Sequence, residues 1–391
     1  MRRVALVVLD GVGAGAAPDA AAYGDQGSNT LANTARAVGG MQLPNLERMG
    51  LGRVVDMEGV RSDRRPIAAH GVMRPASAGK DSITGHWELM GVQLDRPFPT
   101  YPAGFPQVIV DAFARGTGRP VTGNVAASGT DVLERFGAEH ESTGAWIVYT
   151  SADSVFQVAA HEEVVPVGEL YAACEMARRL LVPPHDVARV IARPFIGSHG
   201  RYTRTARRRD FSIQPPRDTV LDALQAAGVT RYGVGKVDDL FAGRAIESRH
   251  TGSNAEGIRL VNEWLEGAAG GLLFANLIDF DQQFGHRNDP RGFYAALREL
   301  DGAIPGWLRA LREDDLIILT ADHGTDPTTR STDHSREYVP VLVGGPAVRP
   351  TPLGVRESYS DVGATVAEAF GVSFRGAGRS FLNEVLRDPG G

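Results

Sequence analysis

Three short apolar runs in this chain each stop at an aspartate, and that repetition constrains the fold more than any other feature. VALVVL ends at Asp10 and is followed by Gly-Val-Gly. LLFANLI ends in Asp279-Phe-Asp281, with Gly285-His286 soon after, and LIILT ends in Ala321-Asp322-His323-Gly324. Short continuous runs rich in valine and leucine read as strands buried on both faces, as in a parallel sheet covered by helices. The strand-like runs are Val4–Leu9, Ala145–Tyr149, Val187–Ala192, Leu272–Ile278 and Leu316–Thr320. Between them Leu170, Ala173, Ala177 and Leu180, and then Val220, Leu224 and Ala227, recur at helical spacing. A last helix is expected over Asp361–Phe370, opening on an acidic residue and stopping at Gly371, as capping requires. Strands alternating with helices predict an α/β fold with a mostly parallel sheet. Ligands of such sheets bind beyond the carboxyl ends of the strands, so the three aspartate-ending segments can converge on one crevice.

The chain has 391 residues, and at ~150 residues per domain that suggests two or three domains. Two proline clusters mark the candidate boundaries: PFPTYPAGFP over 97–106 and IQPPRD over Ile213–Asp218. The stretch between them carries its own strand and helix signals. It reads as a domain inserted over 99–215, leaving 1–98 and 216–391 as a discontinuous core; two proline-containing loops within one domain are the simpler alternative. The 41 basic and 47 acidic residues leave a net charge of −6, which argues against general nucleic-acid binding. A single cysteine, Cys174, excludes an internal disulfide framework and a cysteine-based metal cluster. No apolar run approaches the ~18 residues of a membrane span, and the first strand-like segment begins by Val4, so neither an anchor nor a signal peptide is expected. The expectation is a soluble cytoplasmic protein.

Aspartate and histidine together are ligands for Mn²⁺, Zn²⁺ and similar ions. Asp10, Asp281 and Asp322 with His286, His323 and His334 would make two sites of roughly three protein ligands each. Open positions would remain for substrate oxygens, as in a two-metal phosphoryl-transfer centre. A second cluster, AGKDSITGHWELMG over Ala78–Gly91, holds Lys80, Asp81, Ser82, Thr84, His86, Trp87 and Glu88. A hydroxyl beside a dinuclear centre loses its proton readily and becomes a nucleophile. The same residues read equally well as a glycine-rich loop before a helix capped by Ser82 or Thr84. A third feature, RYTRTARRR over Arg201–Arg209, is either a phosphate clamp or a solvated basic loop.

The segments DGVGAGAAPDA, GKDSITGHWELMG, YTSADSVFQVAAHEEVVP, RVIARPF, DFDQQFGHRNDP, LTADHGTDPT and TDHSREYVPVLV resemble the phosphopentomutases of the alkaline phosphatase superfamily. The resemblance runs in order from residue 1 into the last helix. It implies an alkaline-phosphatase-like α/β core, its mostly parallel sheet flanked by helices, plus an inserted smaller α/β cap domain. It further implies that Asp10, Asp322 and His323 hold one ion and Asp281, His286 and His334 the other. The family ion is Mn²⁺, and other divalent ions are admissible. Ser82, directly after Lys-Asp, would be the phosphorylated residue bridging both ions. Ser151 and Asp153 would meet the ribose hydroxyls, and Arg193, Arg204, Arg208 and Lys236 the phosphate at the far end of the sugar. The implied activity interconverts α-D-ribose 1-phosphate and D-ribose 5-phosphate, and the 2-deoxy sugars likewise. It would pass through a phosphoenzyme and a ribose 1,5-bisphosphate-type intermediate that also serves as activator. The implied partners are small-molecule pentose phosphates, with no nucleic acid, membrane or obligate protein partner.

Three positions depart from the family pattern. Ser82 stands where threonine is usual, Gly11 where serine is usual, and Arg209 where histidine is common. Two other enzymes fit the same motifs: a metal-dependent phosphohydrolase, in which water attacks the phosphoserine, and a mutase for a modified pentose. A non-catalytic sugar-phosphate-binding protein would have lost part of the ligand set, and all six residues are present.

Overall fold

Each of the five apolar runs forms a strand in the computed structural model, which describes residues 3–151, 153–198 and 200–387. The chain divides into two compact units, Met1–Pro97 with Pro215–Gly391 and Phe98–Gln214. In the first unit an eight-stranded sheet has the order Ser248–Arg249, Arg231–Val234, Gly271–Leu277, Arg3–Leu9, Leu316–Thr320, Val339–Gly344, Ala69–Met73, Pro352–Arg356. Every neighbouring pair is parallel except those made by Val339–Gly344, which runs against both its neighbours. The central strands are buried along their whole length, which is why they read as unbroken apolar runs instead of alternating ones. Helices Asn254–Glu266 and Pro290–Ala310 pack on each other, and the first also packs on Gly271–Leu277. The helix expected last runs Ser360–Ala369 and has no side-chain cap, and a short helix, Leu382–Val385, follows it. Asp361 lies inside the first turn of Ser360–Ala369, where its carboxylate accepts from Arg356 Nε and from the Arg379 amide, both at 2.7 Å. No helix of the described residues is long and apolar enough to cross a membrane.

The central strand starts on a fully buried cation. Arg3 Nε donates to Asp315 Oδ2 at 2.8 Å, and its other nitrogens donate to Leu265 O (2.7 Å) and Ala310 O (3.0 Å). Removing one partner of a buried pair strands the other charge and typically costs about 3–5 kcal/mol, whereas replacing both by apolar residues is often neutral. Arg3→Met is therefore expected to lower unfolding free energy by about 3–5 kcal/mol in denaturant titrations. Adding Asp315→Leu should restore most of it.

The second unit is an α/β layer of its own. Its mixed sheet has the order Val121–Ala126, Trp146–Thr150, Val155–His161, Arg189–Ile196, Thr203–Arg204, and Arg209–Ser212 also pairs with Arg189–Ile196. Alternate residues of Trp146–Thr150 serve opposite faces, as strand geometry requires. Trp146 and Val148 join Phe113, Phe156 and the helix Val167–Leu180 in one core, while Ile147 and Tyr149 join Val132, Leu133 and Phe195 in another. Two of this unit's histidines are committed to backbone. His140 Nε2 accepts the His161 amide at 2.8 Å, its Nδ1 bonds Ala145 O, and His161 Nε2 bonds Gly197 O at 2.9 Å.

Candidate metal centre

Three strand ends in the first unit converge. Asp10 follows Arg3–Leu9 directly, and Asp322-His323 follow Leu316–Thr320 after one residue. After Gly271–Leu277 a wide helical turn over Phe280–Phe284 turns Asp281 inward, and the tight turn Gly285–Arg287 presents His286. His334 returns because Gly324 and Ser335 pair backbone to backbone, closing the loop between them. That brings the His334 ring to 4.1 Å from His323 and 4.8 Å from His286.

Asp281 Oδ2 lies 3.2 Å from His286 Nε2, and Asp281 Oδ1 lies 3.5 Å from His334 Nε2. His323 Nε2 lies 3.3 Å from Asp10 Oδ1 and 3.4 Å from Asp322 Oδ2. Asp281, His286 and His334 present ligand atoms all within 4.8 Å of one another, and so do Asp10, Asp281 and His323. The second grouping crosses the two ligand sets of the family resemblance, with Asp281 common to both groups. Neighbouring atoms hold the ligands in place, which matters because outer partners orient a metal site. His323 Nδ1 faces Gly324 O at 3.1 Å and His286 Nδ1 bonds Thr332 O, so each ring turns Nε2 to the centre. Thr325 Oγ1 donates to Asp281 Oδ1 at 2.8 Å. Gly11 makes room for that threonine. It sits at φ +80°, and a Cβ there would lie 2.6 Å from Thr325 Oγ1.

The donor set fits a divalent cation. Asp322 Oδ2 is buried without a hydrogen-bond donor. His86 Nδ1 is 3.1 Å away, but the same nitrogen bonds Ser82 O at 2.9 Å. A buried carboxylate oxygen without a donor is costly unless a cation meets it. Burial would raise Asp10 and Asp281. Lys236 and His323 beside Asp10, and His334 and His286 beside Asp281, outweigh it and hold both well below the usual carboxylate range. Burial would likewise lower the two imidazoles. Asp322 and Asp10 instead push His323 up to about 10, and Asp281 pushes His286 up to about 9.

In metal-free protein these two imidazoles therefore carry protons at neutral pH. Their folded pKa lies above the unfolded value, so this contribution to stability is full below about pH 6.5 and is lost as pH rises through about 9 to 10. An ion requires the neutral rings, so metal loading at pH 7.5 should release about two protons per chain. Calorimetry in buffers of different ionisation enthalpy measures this, and a buffer-independent heat would contradict it.

Ser82 opens the helix Ser82–Leu89. Its hydroxyl lies 3.1 Å from His323 Nε2 and 3.5 Å from Asp10 Oδ1. The cap of this helix is neither Ser82 nor Thr84. Asp81 caps it, accepting from the Thr84 amide (3.1 Å) and from Thr84 Oγ1 (2.6 Å). A carboxylate is as good a cap as a hydroxyl, and its presence one residue earlier leaves Ser82 unburdened.

Other residues fix the preceding loop, and of these sequence reasoning gave Arg336, Tyr23, Asp25 and Asp333 no role. Buried Arg336 donates to Ser77 O (2.6 Å), Gly79 O (2.8 Å) and Pro75 O (3.2 Å), and lies over the Tyr23 ring. Tyr23 Oη donates to Ala78 O at 2.6 Å, and Glu88 accepts from the Ala76 and Ser77 amides at 2.9 and 2.7 Å. Lys80 pairs with Asp25 and Asp333, each at 3.1 Å, tying this loop to the one carrying His334.

Arg193, Arg204 and Arg208 belong to the second unit and Lys236 to the first, where its Nζ lies 3.0 Å from Asp10 Oδ2. In the second unit, Arg193, Arg204 and Arg208 all act on Tyr149. Burial raises that phenol, and the three cations oppose the shift. Arg193 is lowered by burial and by its neighbours Arg208 and Arg204, and it also donates to Gln157 Oε1 at 3.1 Å. A Cβ on Gly129, the first residue of helix Gly129–Thr143, would lie 2.9 Å from Arg204 Nη1 and 3.1 Å from Tyr149 Oη. Arg208 makes a two-pronged pair with Asp210, both contacts at 2.7 Å. Ser151 Oγ accepts the Asp153 amide at 3.3 Å, and Arg189 lies 4.0 Å from the Asp153 carboxylate. Arg209 stacks over Phe211 and Tyr171, so its guanidinium is occupied by packing.

An α/β fold with buried Asp/His groups at its strand ends defines a metalloenzyme, and residues 2–374 match the metalloenzyme superfamily. A phosphoglycerate mutase structure from Leishmania mexicana shares the fold, at a TM-score of 0.50 and 12% identity over 97% of each chain. The fold is alkaline-phosphatase-like. Closer in sequence, the chain is 54% identical to the phosphopentomutase of Dictyoglomus thermophilum over 98% of its own length and 99% of the relative's. It is 56% identical to that of Anaeromyxobacter sp. strain K over 99% and 100%. The chain belongs to the phosphopentomutase family, and it is an enzyme of the intramolecular phosphotransferase kind.

Proposed function

We propose that this chain interconverts α-D-ribose 1-phosphate and D-ribose 5-phosphate, and the 2-deoxy pair likewise, in the cytoplasm. The observation that carries the reading is the Ser82 hydroxyl, uncommitted to capping and 3.1 Å from His323 Nε2. Asp10, Asp322 and His323 would hold one ion and Asp281, His286 and His334 the other; Mn²⁺ suits such mixed oxygen and nitrogen donors. Bound there, the ions supply positive charge that favours the Ser82 alkoxide and offsets charge on the phosphoryl oxygens.

Phosphorylated Ser82 gives its phosphoryl group to the free sugar hydroxyl: the Oγ–P bond breaks, a sugar O–P bond forms, and the freed Ser82 oxygen takes up a proton in exchange for the one the sugar hydroxyl gives up. The resulting ribose 1,5-bisphosphate returns its other phosphoryl group to Ser82, releasing the isomer. A catalytic amount of that bisphosphate primes the resting enzyme. Arg193, Arg204 and Arg208 hold the far phosphate, and Ser151 and Asp153 meet the ribose hydroxyls. Lys236 serves the phosphate that enters beside Asp10, a placement its pairing with that carboxylate supports.

Purified protein with Mn²⁺, ribose 5-phosphate and catalytic bisphosphate should form ribose 1-phosphate much faster than it releases inorganic phosphate. Phosphate release without isomer would overturn the reading in favour of a phosphohydrolase. Losing one charge-assisted contact costs ~1.5–3 kcal/mol, so Arg193→Ala or Arg208→Ala should slow isomerisation roughly 10- to 150-fold. Bisphosphate that escapes leaves phosphoserine to water, so the hydrolysis-to-transfer ratio should rise. Asp281→Asn should lose both activities together.

A further inference from the structure

The GHWE stretch contains a histidine that neither the ligand set nor the nucleophile accounts for. His86 lies one turn after Ser82 on the helix Ser82–Leu89 and is fully buried. Opposite it, in the otherwise apolar strand Gly271–Leu277, stands Asn276, also fully buried. Residues two apart on a strand face the same side. Phe274 accordingly stacks on the His86 ring, with centroids 5.6 Å apart and an interplanar angle of 21°, while Asn276 Nδ2 lies 3.3 Å from His86 Nε2. The same amide nitrogen donates to Asp10 Oδ2 at 3.0 Å. With an amide hydrogen directed at it, Nε2 accepts, which puts the ring proton on Nδ1. Nδ1 bonds Ser82 O at 2.9 Å and lies 3.1 Å from Asp322 Oδ2. Asn276 Oδ1 is left buried without a partner. An unsatisfied buried acceptor is unfavourable, so this amide is oriented for what its nitrogen holds.

We infer that His86 and Asn276 are positioning residues acting as one unit, orienting Asp10 through the Asn276 amide and fixing the Ser82 carbonyl through His86, for a single ion of the pair. They make no hydrogen bond to Asp281, His286 or His334 among the contacts that place those residues. The inference rests on the ligand set proposed above. It goes beyond that set by predicting that the two ions respond differently to a change at one histidine.

The experiment is Mn²⁺ titration of the metal-free full chain, followed by calorimetry and by electron paramagnetic resonance of the bound ions. His86→Leu and Asn276→Leu should each weaken one binding step by about 10- to 100-fold, the usual effect of removing an outer partner, and leave the other step within about twofold. The double variant should be no weaker than either single one, because both residues act through one chain of contacts. His86→Gln keeps a polar group near Nε2, so it should lose less at the same step. It carries the test if the leucine variant fails to fold by circular dichroism. Equal weakening of both steps, losses that multiply in the double variant, or wild-type binding in Asn276→Leu and His86→Gln would each overturn the inference. Asp10→Asn should lose the same step outright. Two wild-type steps in that variant would instead refute the ligand set, and the inference with it.

Discussion

Ser82→Ala is expected to abolish isomerisation, with a loss of roughly 10⁴-fold or more, because removing a nucleophile disables every step that passes through it. Incubating the native chain with the bisphosphate should add one phosphoryl group by intact mass, mapped to Ser82, and the alanine variant should add none. The helix start makes this site-specific. Thr84 offers the same chemistry two residues later, but its hydroxyl is bonded to Asp81 at 2.6 Å. Ser82 Oγ instead faces His323 and Asp10. Ser82→Thr should keep activity, since it presents the same oxygen from the same backbone position. Phosphate mapped to Thr84 would show that the wrong hydroxyl has been assigned.

Gly85→Ala should be nearly as damaging, although it adds one methyl group and touches no ligand side-chain oxygen. A Cβ at Gly85 would lie 2.1 Å from Asp322 O and 2.8 Å from Asp322 Cβ. Those are backbone and near-backbone atoms, so the helix itself must move off the strand end. A displacement of ~1 Å between nucleophile and reacting centre costs on the order of 100-fold in rate, and the overpacking costs about 1–3 kcal/mol of stability. Gly302→Ala supplies the contrast. It lies within the helix Pro290–Ala310 with nothing within 4 Å of the added carbon, so the same change there should stabilise by up to ~1 kcal/mol and leave activity alone. Steady-state rates and thermal midpoints of the two variants give the comparison. Equal behaviour would remove the close approach as the cause.

The core strands were legible because burial on both faces leaves no room for polar residues. Leu316–Thr320 is the expected stretch itself, and Arg3–Leu9 and Gly271–Leu277 differ from expectation by a residue at each end or one end. Helix ends were less legible. The Ser360–Ala369 helix begins without a side-chain cap, and Asp81 caps the Ser82 helix where two hydroxyls looked equally suitable. Capping turns on which side chain reaches the third amide, a difference of one residue that composition does not resolve. Asp10, Asp281, Asp322 and His323 could be picked out because they lie just beyond the ends of strands, and His286 and His334 because they follow on the same segments. Asn276 carried a comparable signal, an amide inside an apolar run, but its meaning depends on a histidine 190 positions away in sequence. Lys236 was legible as a cation and not as Asp10's partner, since pairing across the sheet is a property of strand order.

Strand order also sets a timetable for the newborn chain. Arg3–Leu9 emerges before both its neighbours, Gly271–Leu277 and Leu316–Thr320, which come from the last third of the sequence. At ~5–20 residues per second, this fully buried strand waits roughly 10–50 s for its first partner. The Phe98–Gln214 unit, continuous in sequence, can fold during that interval. Throughout it, a valine-rich edge is exposed with all its amides unpaired, the kind of segment that associates with other chains. Variants that slow translation between residue 97 and residue 271 are therefore expected to aggregate more during synthesis, measured as the insoluble fraction, even though the finished molecule is unchanged.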